Sequence, residues 1–224
     1  NSAEVRAGPR QLALRSACAV ALMGAVNAAA TAAAAGVAVL WFLLHRPGRR
    51  WASFGAWWLF GGVLACLWWI VPLLILSRVS PPFLDYIESS HTTTEWTSLT
   101  EILRGTSNWT PFVSDERVAG AALVSQPFAV LCTGAVAAAG LAGLTMRRMP
   151  FRGRLLVLLM VGVVLIGIGY AGSFGSPISG PIRDFLDGSG AALRNVHQFD
   201  PLIRLPLALG IAPLLGRLRL RRGA

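Results

Sequence analysis

Charged residues are scarce in this sequence, and lysine is absent altogether. Only 13% of the 224 residues are charged, roughly half of what a globular domain usually carries. Hydrophobic residues make up 54%, and the mean hydropathy is +0.60. A soluble domain of this length could not bury so much apolar surface, so the composition predicts a membrane protein.

Cysteine is equally rare. The three cysteines, Cys18, Cys66 and Cys132, each lie inside an apolar run, where a thiol behaves as a small buried hydrophobe. Their placement argues against a disulfide framework and against a metal site.

The net charge of +10 raises the question of a nucleic-acid partner. The arginines, however, form short clusters at the ends of apolar runs, as orientation signals of membrane proteins do. There is no basic stripe and no nucleic-acid-binding module. We therefore expect no nucleic-acid partner.

Apolar runs of membrane-spanning length predict an all-α, polytopic transmembrane helical bundle with about five membrane helices. The last run is short and could be a truncated or partly inserted helix. The first is longer than one span requires, which leaves open a tilted helix, an interfacial start or a broken hairpin. The five runs lie at about 16–44, 55–77, 119–145, 155–173 and 202–216.

Arginine-rich segments predict the orientation of the bundle. The short segments 45–50, 146–154 and 217–222 are rich in arginine, so the positive-inside rule places them in the cytoplasm. The long polar loops 78–118 and 174–201 then face the periplasm, and both are net acidic. Three arginines do not fit this orientation, because a single crossing at 16–44 would place them on the periplasmic side. They are Arg6, Arg10 and Arg15.

Short helices are predicted in both long loops. Ser98 and Glu101 form a capping box before a short apolar stripe that ends at Gly105. This pattern is typical of an amphipathic helix on the membrane surface. In the second loop, Pro181 opens a short helix and Gly188 closes it.

Arg194 and His197 recur at helical spacing on a predicted turn after Ala191, so both side chains could face the same way. An arginine offers a fixed fork of donors to phosphate oxygens, and a histidine can donate a hydrogen bond or carry a proton. The alternative is that both simply solvate a loop or meet lipid headgroups.

Carboxylates form a second set of candidates. Asp85 and Glu88 follow a Pro-Pro break, where a helix is expected to leave the bilayer, and could accept protons or sugar hydroxyls. Helix capping and surface charge are the alternative. The spacing of Asp184 and Asp187 is only a weak indication of a cation site. The two carboxylates are better interpreted as part of a solvent-exposed helix face. His91 is interpreted as a loop residue.

Several strings of the sequence resemble the large actinobacterial α-(1→3)-arabinofuranosyltransferases of the AftD type. The resemblance runs through most of the chain, and its long loop strings are specific. The matching segments are 24–29, 68–74, 80–88, 97–106, 176–186 and 193–210.

The resemblance implies that residues 1–224 are a partial transmembrane core of a GT-C glycosyltransferase in the bacterial inner membrane. The enzyme would transfer arabinofuranose from the lipid-linked donor decaprenylphosphoryl arabinose to arabinan of arabinogalactan or lipoarabinomannan. We expect no cofactor and assign no metal-binding residues, and the sequence leaves a metal requirement open. The catalytic base, an aspartate, would lie upstream of Asn1 in the parent chain, so the catalytic residues are unknown here and the fragment alone would be inactive. The implied substrate-binding residues are Asp85, Glu88, Arg183, Arg194, His197 and Arg204.

Three other functions remain open at this point. Another GT-C transferase that uses a polyprenyl-phosphate sugar, such as a mannosyltransferase, would differ only in its donor. A transporter or flippase would be expected to carry charged residues within its spans, and these spans carry almost none. A scaffold subunit without catalysis is the third alternative.

Overall fold

The computed structural model describes residues 8–22, 28–79, 88–113, 118–147 and 149–222. These residues form helices, turns and loops, and no strand occurs among them, which confirms the all-α prediction. The helices are α1 Pro9–Leu22, α2 Ala28–Leu43, α3 Arg49–Leu76, α4 Ser90–Thr94, α5 Leu99–Arg104, α6 Thr110–Val113, α7 Val118–Ser125, α8 Pro127–Thr145, α9 Arg152–Gly167, α10 Ser179–Asp187 and α11 Pro201–Arg222.

Three segments of the described chain are long and apolar enough to cross a membrane: Arg49–Leu76, Pro127–Thr145 and Val196–Gly216. A shorter apolar helix covers Ala30–Leu43. The run predicted at 155–173 corresponds to α9, which ends at Gly167. Glycine is a poor helix former, and the residues that follow form turns, so this helix is shorter than its apolar sequence predicted.

The chain divides into two compact units, and the first contains residues 1–86. The apolar run 16–44 is covered there by α1 and α2, and residues 23–27 between them lie outside the described ranges. Helix α1 packs against α3 through small side chains: Ala13 and Ala17 are buried, and a methyl group added at Gly61 would lie 2.8 Å from the Ala17 side chain. Such close packing of small residues is typical of helices within membranes.

The second unit contains residues 87–224, and its core is formed by α8, α9 and α11. Helices α8 and α11 approach so closely that a methyl group on Gly143 would overlap the carbonyl of Gly210. Leu158 of α9 and Ile203 of α11 are completely buried. Glycine therefore occupies the crossing point because any larger residue would separate the two helices.

The helix N-cap predicted at Ser98 is confirmed, whereas the Glu101 carboxylate binds Arg104 and Thr106 in place of the reciprocal contact with the Ser98 N–H. The Ser98 hydroxyl accepts a hydrogen bond from the backbone N–H of Glu101 at 3.4 Å, and the helix ends at Gly105 in the left-handed conformation, with φ of 84°. Ile102 is 1% exposed, and α5 packs against α8 and α9. The expectation that this helix lies on the membrane surface stays a prediction.

The second loop also contains the predicted short helix, α10, which begins at Ser179 and ends before Gly188. The single turn expected after Ala191 is instead two 3₁₀ turns, Ala191–Leu193 and Val196–Phe199. Arg194 and Asn195 separate them. Helical spacing therefore does not hold between Arg194 and His197, and the prediction that they share one helix face was wrong.

Candidate functional site

A groove of about 440 Å³, lined by both polar and apolar groups, lies beyond the C-terminal end of α9. Its volume is typical of a site for a small ligand. Both long loops contribute to it, together with the turn that follows α9. The lining residues are His91, Glu95, Trp96, Ser98, Glu101, Tyr170, Ala171, Gly172, Ser173 and Arg183.

A hydrogen-bond network holds the two loops together beside the groove. The Asp187 carboxylate accepts hydrogen bonds from the backbone N–H and the hydroxyl of Ser90, at 2.8 and 2.6 Å. The Thr93 hydroxyl donates to the backbone carbonyl of Arg194 at 2.8 Å. Ser90 and Thr93 are completely or almost completely buried. The two loops, far apart in sequence, thus form one surface.

Arg183 joins the second loop to the floor of the groove. Its Nε donates to the Thr94 hydroxyl at 3.0 Å and to the carbonyl of Gly169 at 3.2 Å. Gly169 permits this approach because a methyl group there would lie 2.8 Å from the Thr94 side chain. Nη1 and Nη2 make no hydrogen bond to any described residue. The guanidinium is therefore fixed at one nitrogen and retains donors for a ligand.

Two carboxylates line the groove, and their surroundings differ. Glu101 is paired with Arg104 at 2.8 Å, and its second oxygen accepts a hydrogen bond from the Thr106 hydroxyl. The Glu95 side chain is 48% exposed, and the Nδ1 of His91 lies 3.9 Å from its carboxylate. Glu95 thus presents a carboxylate that can accept hydrogen bonds from a ligand, whereas the Glu101 carboxylate already has strong partners.

Aromatic side chains complete the groove. The Trp96 indole stacks on Phe112 with a centroid separation of 4.0 Å and parallel planes. Its buried Nε1 has no hydrogen-bond partner in the described part of the chain. Tyr170 also lines the groove. The plane of Trp96 is consequently fixed by stacking and packing.

Arg194, predicted to contact phosphate, is buried in the network between the loops. Its side chain is 7% exposed, and its Nε lies 3.2 Å from the Asp187 carboxylate. The guanidinium also donates to the backbone carbonyls of Leu186, Glu88 and Asp187, at 3.3, 3.1 and 3.5 Å. These contacts describe a cross-link between the loops, and Arg194 does not line the groove.

Arg204 has a comparable arrangement at the start of α11. Its Nε donates to both carboxylate oxygens of Asp200, at 3.1 and 3.0 Å. Nη1 donates to the carbonyl of Leu103 at 2.7 Å, and Nη2 donates to that of Ile102. An arginine is a suitable partner for the last carbonyls of a helix, so Arg204 ties the end of α5 to α11.

Glu88 and His197, two further predicted site residues, do not line the groove. The backbone carbonyl of Glu88 accepts a hydrogen bond from Arg194, and its half-buried side chain is not among the lining residues. His197 lies on the second 3₁₀ turn, and its buried Nδ1 has no hydrogen-bond partner among the described residues. Asp85 falls outside the described residues.

The weak cation signal of Asp184 and Asp187 finds another explanation. The Asp187 carboxylate accepts a hydrogen bond from the backbone N–H of Ser90 and pairs with Arg194. Asp184 is exposed. Over the described ranges, no group of three or more His, Cys, Asp or Glu side chains is arranged to hold a metal ion.

Sequence reasoning identified Arg183 as a site residue and missed most of the groove. No motif surrounds Glu95, the spacing of Trp96 places it in the apolar stripe of the short helix predicted in the first loop, and the sequence predicts a loop at His91. An acidic residue beside a tryptophan in a polar loop was the available signal, but it is weak without the fold. The groove requires Tyr170, which is 74 positions away from Trp96 in the sequence, and no local pattern connects the two.

Apolar helices of membrane-crossing length define an all-α membrane protein. Its two long loops meet at a groove large enough for a small ligand. Residues 2–224 match the family described as alpha-(1->3)-arabinofuranosyltransferase, N-terminal GT-C domain. The chain belongs to this family, which confirms the resemblance found in the sequence.

Relatives and solved structures agree with the family. The chain is 60% identical to an alpha-(1->3)-arabinofuranosyltransferase of Mycolicibacterium smegmatis and 56% identical to one of Mycobacterium tuberculosis, each over 94% of the chain. It spans about 15% of the length of these relatives. A cryo-EM structure of the arabinofuranosyltransferase AftD from Mycobacteria is similar over 92% of this chain and 12% of that chain, with a TM-score of 0.66 and 48% identity.

Proposed function

We propose that this chain forms part of a membrane glycosyltransferase that transfers arabinofuranose from decaprenylphosphoryl arabinose to cell-wall arabinan of arabinogalactan or lipoarabinomannan. The observation that carries the proposal is the 60% identity, over 94% of the chain, to a relative named alpha-(1->3)-arabinofuranosyltransferase. In this proposal, residues 1–224 belong to the GT-C core in the inner membrane. Loops 78–118 and 174–201 face the periplasm, where the groove between them meets the substrates.

Among the predicted substrate-binding residues, Arg183 has the strongest support as a direct contact. It lines the groove, and two of its nitrogens have no partner within the described residues. Arg194 and Arg204 act as positioning residues in this proposal, because their guanidinium groups are bound to backbone carbonyls. Asp85, Glu88 and His197 stay predictions.

The transfer needs a carboxylate to accept the proton of the acceptor hydroxyl and polar donors to stabilise the departing lipid phosphate. The described residues contribute the groove, in which a fixed guanidinium and an accessible carboxylate can orient a substrate without moving.

The deciding experiment measures transfer of labelled sugar to a synthetic arabinan acceptor by the full-length protein in proteoliposomes. We expect transfer from decaprenylphosphoryl arabinose and none from the corresponding mannose donor. Transfer from the mannose donor alone would establish a mannosyltransferase instead. Absence of transfer from either donor, by protein that binds neither, would favour a scaffold function.

The role of Arg183 is tested in the same assay. Loss of a hydrogen bond from a charged donor costs about 1.5–3 kcal/mol, so Arg183→Gln should lower kcat/KM by about tenfold or more. Arg147→Gln is the matched control, because Arg147 is exposed and does not line the groove. Equal activity of both variants would remove Arg183 from the substrate site.

A further inference from the structure

The charges that line the groove do not suit a phosphate group. Its lining carries two carboxylates, Glu95 and Glu101, and one guanidinium, Arg183. Glu101 is neutralised by Arg104, but Glu95 is half exposed beside a histidine. Phosphate sites concentrate several cationic or N–H donors around one point. A phosphate placed here would meet the Glu95 carboxylate as a like charge.

The same groove suits an uncharged molecule with many hydroxyl groups. The Glu95 carboxylate accepts hydrogen bonds, and the outer nitrogens of Arg183 donate them. Hydroxyl groups do both, so a sugar can satisfy the two side chains at once. Ser98, whose hydroxyl already pairs with Thr100 at 3.0 Å, adds a further polar group to the lining.

The aromatic lining provides the apolar part of sugar recognition. Trp96 is held parallel to Phe112, so its ring plane does not have to be ordered when a ligand binds. The C–H face of a sugar ring is apolar and can be buried against an aromatic ring, as other apolar groups are. Carboxylate, guanidinium and aromatic side chains in one groove of about 440 Å³ can bind both the hydroxyl groups and the apolar face of a neutral glycan.

We propose that the groove lined by Glu95, Trp96, Tyr170 and Arg183 binds furanose rings of the neutral glycan acceptor and not the phosphate-bearing donor. The inference rests on the proposed function and makes it more specific, since it assigns one substrate to one surface. Glu95 accepts hydrogen bonds from sugar hydroxyls, and Trp96 lies against a ring.

Steady-state kinetics of the full-length enzyme separate the two substrates. In Glu95→Gln, which keeps the shape of the side chain and removes its charge, we expect KM for a synthetic arabinan acceptor to rise about tenfold. The KM for the donor and kcat should change less than twofold. Asp184→Asn is the matched control, because Asp184 is an exposed carboxylate of α10 outside the groove lining. A rise in donor KM with an unchanged acceptor KM, or no change in either, would overturn the inference.

Acceptors that lack single hydroxyl groups identify the contact with Glu95. Removal of the hydroxyl that Glu95 binds should weaken binding to the wild type about tenfold and to Glu95→Gln much less, because the two changes remove the same interaction. Trp96→Phe, which retains stacking on Phe112, should weaken every such acceptor by a similar factor. If the loss of binding free energy caused by Glu95→Gln and that caused by removal of a hydroxyl add for every acceptor, Glu95 contacts no acceptor hydroxyl.

Direct binding keeps this test independent of catalysis. Isothermal titration of the purified full-length protein with an arabinan oligosaccharide should show saturable binding that Glu95→Gln weakens and Asp184→Asn leaves unchanged. If the wild type binds the oligosaccharide but transfers no arabinose, the proposed function fails and the glycan site stands. If it transfers arabinose and Glu95→Gln leaves binding of the oligosaccharide unchanged, the inference alone fails.

Discussion

Replacement of Arg194 should lower the local stability of both loops around the groove. The buried guanidinium contacts the Asp187 carboxylate and three backbone carbonyls. Removing one partner of a buried ion pair costs about 3–5 kcal/mol. Because the Asp187 side chain is 43% exposed, water can replace part of the interaction, and we expect about 3 kcal/mol for Arg194→Ala.

Hydrogen exchange of the full-length protein in nanodiscs measures this effect. A loss of about 3 kcal/mol increases the population of the locally open state roughly 100-fold. Amides of α4 and of the segment that follows α10 should then exchange correspondingly faster. Arg194→Lys keeps the charge but offers a single ammonium group in place of the planar fork, so its exchange should be intermediate.

Two comparisons make the prediction specific. Arg147→Ala, at an exposed position outside this network, should leave exchange of both loops unchanged. Unchanged exchange in Arg194→Ala would refute the cross-link. If Arg194 instead contacts the donor phosphate, Arg194→Lys should raise the donor KM while exchange in the loops stays at the wild-type level.

The remaining predictions concern glycines. Gly143→Ala should lower the thermal midpoint of the protein in detergent by about 5 °C, because the new methyl overlaps the carbonyl of Gly210 and overpacking costs about 1–3 kcal/mol. Gly134→Ala on the same helix meets no atom within 4 Å and should not lower the midpoint, so equal losses in both variants would contradict the close crossing. Gly105→Ala should destabilise α5 by about 1–2 kcal/mol, because φ is 84° and the methyl would lie 3.2 Å from Arg204. Faster amide exchange in α5 is the measurement, and unchanged exchange would disprove the strain.

Local patterns in the sequence were reliable where a few adjacent residues decide the structure. Ser98 and Glu101 predicted the start of α5, and Gly105 predicted its end, because caps depend on hydrogen bonds between residues three to five positions apart. The composition predicted an all-α membrane protein for a comparable reason, since the bilayer selects long apolar helices. The loop strings identified the family.

Arginines were harder to interpret from the sequence. Arg183 and Arg194 looked equivalent as charged residues near helix ends. In the fold, Arg194 is enclosed by backbone carbonyls of two distant segments, while Arg183 keeps two nitrogens for the groove. A guanidinium binds carbonyls and ligands with the same donors, so only its surroundings decide which of these it does.

The sequence by itself determined the class of protein, the family, the apolar segments and the caps of the short helices, because these follow from composition and from neighbours along the chain. Tertiary structure alone decided where the groove lies. Tyr170 comes to lie near Glu95 and Trp96 because α9 ends at Gly167 and the two loops are tied by Asp187 and its partners. Contacts between residues so far apart depend on the packing of the helices, which no short stretch of sequence encodes.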